Sequence, residues 1–300
     1  MMDVAASPTT RRLAKERGVD IDALGAELGS DTVTRRDVER KADGGAAPAA
    51  APAGGIAASA YWQVDHAAHG PVREAAVPRR EQVAAANLAA AQALIPAVTH
   101  HDRADVGALE AARARLKGEA EAKGVRLTAL AFHVKALARA LVDFPRFNAS
   151  LSADGKTLIL KDFVHIGVAV DTPHGLMVPA VRNADVKGLL AIAAEIADFA
   201  ARARERKLRP EEMGGASMSI SSLGGIGGTA FTPIVNPPEV AILGLTRTET
   251  APVWDGEAFV PRPMLPLDLS YDHRVINGAD AARFLAHYVR LVEAPTRLLH

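Results

Sequence analysis

Apolar residues from Val77 onward recur with two periods that alternate along the chain. Spacings of three and four residues predict helices, whereas alternation and short apolar runs predict strands. The predicted helices run from Asp105 to Lys123, from Thr128 to the residue before Pro145, from Gly188 to Arg204 and from Ala279 to Val292. The predicted strands cover 163–170, 216–223, 239–245 and 265–271, with a turn at 171–175. This mixture, without an internal repeat, predicts one α/β domain with a mixed sheet.

The first 42 residues predict a separate module of two short helices around a loop. Ser7 and Pro8 form a helix start, and Gly18 ends that helix. A second helix from Thr34 to Lys41 has Asp37 at its third position, which is a variant of the capping box. Because so small a unit has little apolar surface to bury, we expect it to be a docking module.

The segment from Gly44 to Ala60 contains only Ala, Pro, Gly, Ile and Ser. It has no charge and no amphipathic period, which predicts a partly extended, mobile linker. We therefore divide the chain into a small module at 1–42, a linker at 43–76 and a large domain at 77–300.

Charge and composition exclude several classes of function. The 300 residues carry 35 basic and 35 acidic side chains, so no net charge attracts phosphate backbones, and nucleic acid is not an expected partner. The absence of cysteine excludes a thiolate nucleophile, a disulfide scaffold and a cysteine-ligated metal. No apolar run approaches the roughly 20 residues of a membrane helix, and the N-terminus has no signal-peptide core. We expect a cytoplasmic protein without a membrane partner.

A glycine-rich stretch, SLGGIGGTA, extends from Ser222 to Ala230 and contains the Gly-x-Gly-x-x-Ala pattern of dinucleotide sites. That pattern binds a dinucleotide only if a helix starts at the loop. Pro233, Pro237 and Pro238 follow closely and forbid such a helix. We therefore favour a turn between two strands, whose lack of side chains lets a substrate backbone or thioester approach.

The polar loop DHRVING, from Asp272 to Gly278, lies between a predicted strand and the last predicted helix. Catalytic side chains are often found where a chain leaves a sheet and faces a cleft. The neutral imidazole of His273 is suited to take a proton from a thiol or hydroxyl near pH 7. A lone histidine is most often structural, but this one shares its loop with Arg274 and two further polar side chains.

The sequence Thr99-His100-His101-Asp102 contains two adjacent histidines and an aspartate. Neighbouring side chains point apart, and no third ligand stands at a fitting distance in the sequence, so a metal site is not favoured. A polar loop before a helix, with Asp102 or Asp105 as its N-cap, is the preferred interpretation.

Ser217, Ser219 and Ser221 occupy alternate positions of a predicted strand and therefore share one face. Such a row of hydroxyls is often a solvated face. No Gly-x-Ser-x-Gly elbow is present, so a serine hydrolase is not supported.

Five stretches resemble the acyltransferase component of 2-oxoacid dehydrogenase complexes. They are FNASL (147–151), HIGVAVDTPHGLMVPAVRNAD (165–185), SISSLGGIGGTAFTPIVNPPEVAILG (219–244), PVWDG (252–256) and LPLDLSYDHRVINGADAARFL (265–285). Together they extend through almost all of 77–300. The sequence GGTAFTPIVNPPEVAILG is most similar to the pyruvate branch of this family.

The resemblance implies a fold like that of chloramphenicol acetyltransferase, in homotrimers that have active sites between subunits and assemble into a hollow cubic core. It implies acetyl transfer between the dihydrolipoyl group of a lipoylated protein and coenzyme A, without a metal. The family's histidine falls on His273, which would deprotonate the thiol, and its serine on Ser221, which would donate to the oxyanion. Asn277 stands where most members have aspartate; a carboxamide orients neighbours but accepts no proton.

The N-terminal module resembles the peripheral subunit-binding domain through Pro8-x-x-Arg11-x-Leu13-Ala14 and Thr34-Arg35-Arg36-Asp37-Val38. This implies docking of decarboxylase and dihydrolipoamide dehydrogenase components near Arg11. Two departures weaken that expectation: the glycine-rich loop is reduced to GAELGSDT, and Thr32 replaces an expected basic residue. No Asp-Lys-Ala lipoyl sequence is present, so we expect the lipoyl group to come from another protein or from a domain missing from this sequence.

Two alternatives stay open at this point. A sibling acyltransferase would use another acyl group or carrier, and a structural core protein with little catalysis would fit the missing lipoyl sequence. The apolar residues Leu298 and Leu299 predict a tail that docks between trimers.

Overall fold

The structure is a computed structural model that describes residues 4–28, 32–42, 64–173 and 175–298. The chain forms two compact units, Met1–Ala75 and Ala76–His300. The predicted linker at 44–60, residues 29–31 of the GAELGSDT loop and Leu299 of the predicted tail lie outside the described residues. Within the described ranges, no helix is both long enough and apolar enough to cross a membrane.

The first unit contains, in its described part, a 3₁₀ helix at His66–His69 and three α-helices, and not the two helices that the sequence predicts for 1–42. The α-helices are α1 (Pro8–Arg17), α2 (Ile21–Leu28) and α3 (Arg35–Ala42). The predicted ends of α1 are confirmed, because the Ser7 hydroxyl accepts a hydrogen bond from the Thr10 backbone and Gly18 adopts a left-handed conformation. At the start of α3, the Asp37 carboxylate accepts hydrogen bonds from the Thr34 backbone and hydroxyl, as the capping-box variant predicts.

Helix α2 replaces the expected loop. The Asp20 carboxylate starts it by accepting hydrogen bonds from the backbone N–H groups of Asp22 and Ala23. Ile21 and Leu24 anchor it by packing into the small apolar core of the unit. Eight residues are too few to give a clear helical period in the sequence, so this prediction was wrong.

The second unit contains five α-helices, nine strands and two short 3₁₀ helices in its described part. The helices are α4 (Arg79–Leu94), α5 (Gly107–Ala122), α6 (Ala129–Asp143), α7 (Leu189–Arg204) and α8 (Gly278–Glu293), and the 3₁₀ helices are Pro210–Glu212 and Pro295–Leu298. The strands are β1 (Ala97–Asp105), β2 (Ala149–Leu151), β3 (Leu158–Leu160), β4 (Ile166–Val168), β5 (Ala180–Val181), β6 (Met218–Ser222), β7 (Ala241–Leu245), β8 (Glu249–Trp254) and β9 (Phe259–Asp272). All four predicted helices are present, at α5, α6, α7 and α8.

Seven strands form one mixed sheet in the order β1-β9-β7-β6-β4-β5, with β8 paired to β9. Strands β4, β6 and β7 are parallel to one another, and the remaining pairs are antiparallel. Strands β2 and β3 form a separate hairpin. The predicted α/β fold with a mixed sheet is therefore confirmed.

The two faces of this sheet differ in character. Leu243, Leu267 and Leu269 contribute to the main apolar core together with Phe132 of α6 and Phe284 of α8. Positions on the opposite face carry buried polar side chains, because alternate residues of a strand point to opposite faces. This polar face contains Thr99, Ser219, Asp268 and Ser270.

Residues 99–102 lie in β1 and not in the predicted loop. Strand β1 pairs with β9 along its whole length, so that Thr99 is opposite Ser270 and His101 is opposite Asp268. Thr99 and His101 meet polar partners on the polar face, so this strand lacks the apolar alternation that would predict a strand. The N-cap of α5 is Val106, so the predicted N-cap role of Asp102 or Asp105 is wrong. Asp105 stands one residue before this cap, and its carboxylate accepts a hydrogen bond from the Gly107 backbone.

The row of serines at 217, 219 and 221 is not the solvated face that its alternation suggested. Ser217 and Ser219 are buried, and Ser221 is half-buried. The Ser217 hydroxyl donates to the Phe163 carbonyl at 3.2 Å, and the Ser219 hydroxyl donates to the Glu239 carboxylate at 2.9 Å. Because these hydroxyls have protein partners, the row can be buried without loss of hydrogen bonds.

Candidate active site

The loop that carries His273 connects β9 to α8 and is held by backbone hydrogen bonds on two sides. Asp272 N–H donates to the Val240 carbonyl at 2.8 Å, and His273 N–H donates to the Pro96 carbonyl at 3.1 Å. The Val275 N–H turns back to the Asp272 carbonyl at 3.0 Å. The backbone of His273 is therefore fixed between the segments that precede β7 and β1.

An ion pair between the buried Asp272 carboxylate and the exposed Arg274 reinforces this loop. The Asp272 carboxylate is 2% exposed and accepts hydrogen bonds from the Arg274 backbone at 3.0 Å and from Arg274 Nη2 at 2.7 Å. These bonds raise the pKa of Arg274 above its ordinary value. Arg146 adds a hydrogen bond of 2.7 Å from Nη2 to the Val275 carbonyl. The loop is thus rigid on both sides of the histidine.

The imidazole of His273 itself is exposed. Its ring centre lies 5.9 Å from that of the buried Tyr271, at an interplanar angle of 34°. A fixed backbone with an exposed ring presents the imidazole to groups outside its own loop.

Asn277 lies at the N-terminus of α8. Its Oδ1 accepts a hydrogen bond of 2.9 Å from the Asp280 backbone N–H, so Asn277 is the N-cap of this helix. This contact is a structural cap, and a carboxamide oxygen can accept it without exchanging a proton.

Ser221 lies near the C-terminal end of β6. It is opposite Gly244 of β7, and Gly244 is opposite Asp268 of β9. Within the described part of the chain, the half-buried Ser221 hydroxyl makes no hydrogen bond, so it is available as a donor to another group.

The register separates Ser221 from His273 within one chain. Ser221 is level with Asp268, whereas His273 lies five residues further along, beyond the end of β9. At roughly 3.4 Å per residue, this offset is about 17 Å along the strands, and β7 lies between the two strands concerned. One serine and one histidine side chain cannot cover this distance, so the two predicted residues do not meet in a single chain.

The glycine-rich segment after β6 forms a turn. Leu223 N–H donates to the Leu245 carbonyl at 2.8 Å, and Ile226 N–H returns to the Leu223 carbonyl at 2.8 Å. The segment that connects β6 to β7 is described throughout, and it contains no helix. The turn predicted between two strands is present, and a dinucleotide site of the helix-terminus kind is excluded.

Glu239 is a buried acidic residue that the sequence did not single out. Burial raises the pKa of its carboxyl to about 7, while hydrogen bonds from Ser219 and Asn236 oppose this shift. Its Oε2 is buried without a hydrogen-bond partner in the described ranges. The position directly after two prolines and before an apolar strand is a weak signal for such a residue.

Asp268 is a second buried acidic residue that was missed. Its Oδ1 lies 2.6 Å from His101 Nδ1. The alternation of Asp268, Ser270 and Asp272 with leucines in β9 was a usable signal for a polar face. Among the described residues, no group of three or more potential metal ligands is present, and His101 is engaged with Asp268.

Comparison with known proteins identifies the class to which this fold and site belong. Residues 70–300 match the family described as 2-oxoacid dehydrogenases acyltransferase (catalytic domain). Since this match covers most of the chain, the chain belongs to that family.

Individual relatives agree. The dihydrolipoyllysine-residue acetyltransferase component of the pyruvate dehydrogenase complex of Pseudomonas aeruginosa is 49% identical over 94% of this chain and 52% of its own length. The solved dihydrolipoamide acetyltransferase of Azotobacter vinelandii is 52% identical, with a TM-score of 0.77 over 79% of this chain and 98% of that one. A solved cubic core of the pyruvate dehydrogenase multienzyme complex gives the same values. The resemblance to acyltransferase cores is confirmed, while the chain spans about half the length of the first curated relatives it matches.

Proposed function

We propose that the chain transfers an acetyl group between a dihydrolipoyl group and coenzyme A, at a site formed by two copies of the chain. Ser221 of one copy and His273 of another would face each other. The observation that carries this proposal is the separation of about 17 Å along the strands within one chain, together with the exposure of His273 and the unbonded hydroxyl of Ser221.

The comparisons support the same residues. The solved Azotobacter vinelandii enzyme was studied for the role of one serine, one histidine and one asparagine in its catalytic mechanism. The intervals between those three residues equal the intervals from Ser221 to His273 and from His273 to Asn277. The curated relatives are named as acetyltransferase components of pyruvate dehydrogenase complexes.

The first step is proton transfer. A thiol has an unperturbed pKa of about 8.5 and is mostly protonated near pH 7, so a positioned base increases the thiolate fraction. His273 accepts the proton of the CoA thiol. The exposed ring on a rigid loop suits this role, because Asp272 and Arg274 hold the loop without contacting the imidazole.

The second step is attack of the CoA thiolate on the carbonyl carbon of the acetyl-dihydrolipoyl thioester. The carbonyl oxygen becomes an oxyanion, and the Ser221 hydroxyl donates a hydrogen bond to it. When the tetrahedral intermediate collapses, the C–S bond to the dihydrolipoyl group breaks. The departing thiolate takes the proton back from His273, which regenerates the neutral imidazole.

The assembly follows from a site shared between copies. We infer a homotrimer, with one site at each subunit boundary, and a cubic higher assembly like the solved core of the related complex. The lipoyl group would be supplied by another protein or by a further domain. Docking of the decarboxylase and dihydrolipoamide dehydrogenase components near Arg11 is part of this proposal, although Arg11 Nη2 already donates to the Val4 carbonyl at 2.7 Å.

An assay with free S-acetyl-dihydrolipoamide and CoA tests this function, because it needs no lipoyl domain. We expect His273→Ala to lower kcat by about 100-fold or more and Ser221→Ala to lower it by roughly 100-fold. Ser222→Ala, at the exposed neighbouring position, is the matched control and should stay within twofold. Wild-type protein that transfers succinyl or branched acyl groups faster than acetyl would contradict the acetyl assignment, and an active His273→Ala variant would contradict the base assignment.

A further inference from the structure

One row of residues crosses four strands on the polar face of the sheet. Ser221 of β6 is opposite Gly244 of β7, Gly244 is opposite Asp268 of β9, and Asp268 is opposite His101 of β1. Paired residues in a sheet point to the same face. Asp268 and His101 therefore stand on the same face as the Ser221 hydroxyl, two and three strands away from it respectively.

Asp268 is a buried carboxylate with two hydrogen-bond donors from different parts of the chain. It is 1% exposed, and Oδ1 accepts from His101 Nδ1 at 2.6 Å while Oδ2 accepts from the Phe231 backbone N–H at 3.2 Å. A buried carboxylate needs such partners, since removal of one leaves a desolvated charge uncompensated. The His101 side chain is 52% exposed, so its ring lies on the solvent side of the buried Asp268 carboxylate.

The Phe231 ring fills the gap in the row between Ser221 and Asp268. A Cβ atom on Gly244 would lie 2.6 Å from Cε1 and 2.7 Å from Cζ of Phe231, and 3.1 Å from Cβ of Asp268. The ring tip thus lies directly on the Gly244 backbone. Since neighbouring strands are about 4.8 Å apart, the ring borders the Ser221 position.

The segment from Phe231 to Glu239 is fastened to the polar face at both ends by carboxylates. Asp268 binds the Phe231 backbone at the first end, and Glu239 binds the Ser219 hydroxyl at the second. Between them, Val235 is buried with Ile242 in a small apolar cluster. The Asp268 contact is therefore the fastening of the end that carries the Phe231 ring.

We propose that Asp268 and His101 are positioning residues for the acyl-transfer site. Asp268 holds the Phe231 backbone, and His101 holds Asp268, so that the Phe231 ring stays beside Ser221 as a fixed wall. This inference rests on the proposed function only for the role of Ser221; the fastening itself is independent of the reaction. Neither residue contacts the reacting atoms.

Two substitutions at an accessible position test this role. His101→Leu removes the donor to Asp268, whereas His101→Asn keeps an N–H group where Nδ1 stands. Asp102→Asn is the matched control, because this exposed carboxylate lies next to the pair and, among the described residues, accepts a hydrogen bond from the Arg103 backbone alone. Asp268→Ala removes both hydrogen bonds and completes the series.

Hydrogen exchange of the Phe231 amide and steady-state kinetics are measured on the assembled protein. We expect about tenfold faster exchange at Phe231 in Asp268→Ala and His101→Leu. We expect a fall in kcat of about fivefold or more with KM for CoA within twofold of wild type. His101→Asn should restore both values to within about twofold, and Asp102→Asn should change neither.

The outcomes separate this inference from the proposed function. The positioning role alone is overturned if the wild-type protein transfers acetyl groups but His101→Leu and Asp268→Ala leave the Phe231 amide exchange rate and kcat unchanged. Absence of acetyl transfer by the wild-type protein would contradict the proposed function, while the exchange rates would still report on the fastening. If Asp268→Ala does not assemble, the two variants His101→Leu and His101→Asn decide the question, because the half-exposed ring can be replaced without opening the core.

Discussion

Ser221 lies level with Asp268, four residues before the C-terminal end of β9, whereas His273 lies beyond that end. The offset follows from the strand register and does not depend on side-chain rotamers. A site that uses both residues must therefore draw them from two copies of the chain. The backbone bonds that hold His273 and the sheet pairing that holds Ser221 make each half rigid before the halves meet, which favours catalysis by fixed groups.

Asn277 should act through the start of α8. Asn277→Ala removes the cap to the Asp280 backbone and is expected to lower the free energy of unfolding by about 1 kcal/mol. Asn277→Asp keeps an acceptor at the same place and should retain both stability and at least half of kcat. Denaturant unfolding and the transfer assay check this, and an Asn277→Ala variant with unchanged stability would contradict the capping role.

Arg274 should stabilise the histidine loop through Asp272. Arg274→Met leaves the buried carboxylate with fewer donors and is expected to cost about 1–3 kcal/mol, less than a fully buried pair because Arg274 is 44% exposed. Arg283→Met, which breaks the exposed pair with Asp280, should change stability by less than about 0.5 kcal/mol. Equal effects of the two substitutions on the unfolding midpoint would refute this account.

Glu239 should make stability depend on pH. The pKa of this carboxyl is raised from 4.5 to about 7 by folding. Its contribution to stability is therefore fully present at pH values below 4.5, the pKa in the unfolded chain, and is lost as the pH rises through 7. Glu239→Gln is therefore expected to be more stable than wild type at pH 8, by up to about 3 kcal/mol, with a smaller difference at pH 5. Denaturant unfolding at both pH values checks this. The exposed Glu249→Gln is the control, and a difference that does not change with pH would contradict the prediction.

Gly244 should tolerate no side chain. Gly244→Ala places a methyl group against Phe231 and Asp268 and is expected to cost about 1–3 kcal/mol. Gly118→Ala in α5 meets no atom within 4 Å and should stabilise the protein by about 0.5–1 kcal/mol. Thermal unfolding distinguishes the two. A neutral Gly244→Ala would mean that the Phe231 ring is not seated on the sheet.

The sequence was most informative where helices pack on the core and least informative on the polar face. Helix α8, predicted from Ala279 to Val292, has Phe284, Leu285 and Tyr288 buried at a helical spacing that is visible in the sequence. Helix α4 was missed because almost all of it is exposed in the single chain, so it needs no apolar stripe. Strand β1 was missed because its partners in β9 lie more than 150 residues away, and because Thr99 and His101 are opposite the polar residues Ser270 and Asp268.

The candidate site was predictable where it lies between elements with clear patterns and not where it depends on contacts between distant segments. The loop with His273 lies between two elements that both have clear patterns, and its position follows from them. The contacts of Asp268, Glu239 and Phe231 join distant segments, and local periodicity carries no information about such contacts. The burial of Ser219 likewise depends on Glu239, which approaches it from another segment.

Co-assembly of two inactive variants tests the shared site most directly. His273→Ala and Ser221→Ala proteins are mixed during assembly, and acetyl transfer is compared with each variant alone. Random mixing in a trimer gives about one quarter of the boundaries an intact serine facing an intact histidine, so roughly a quarter of wild-type activity is expected to return. Activity that stays at the level of the separate variants, in particles shown to contain both chains, would contradict a site formed by two copies.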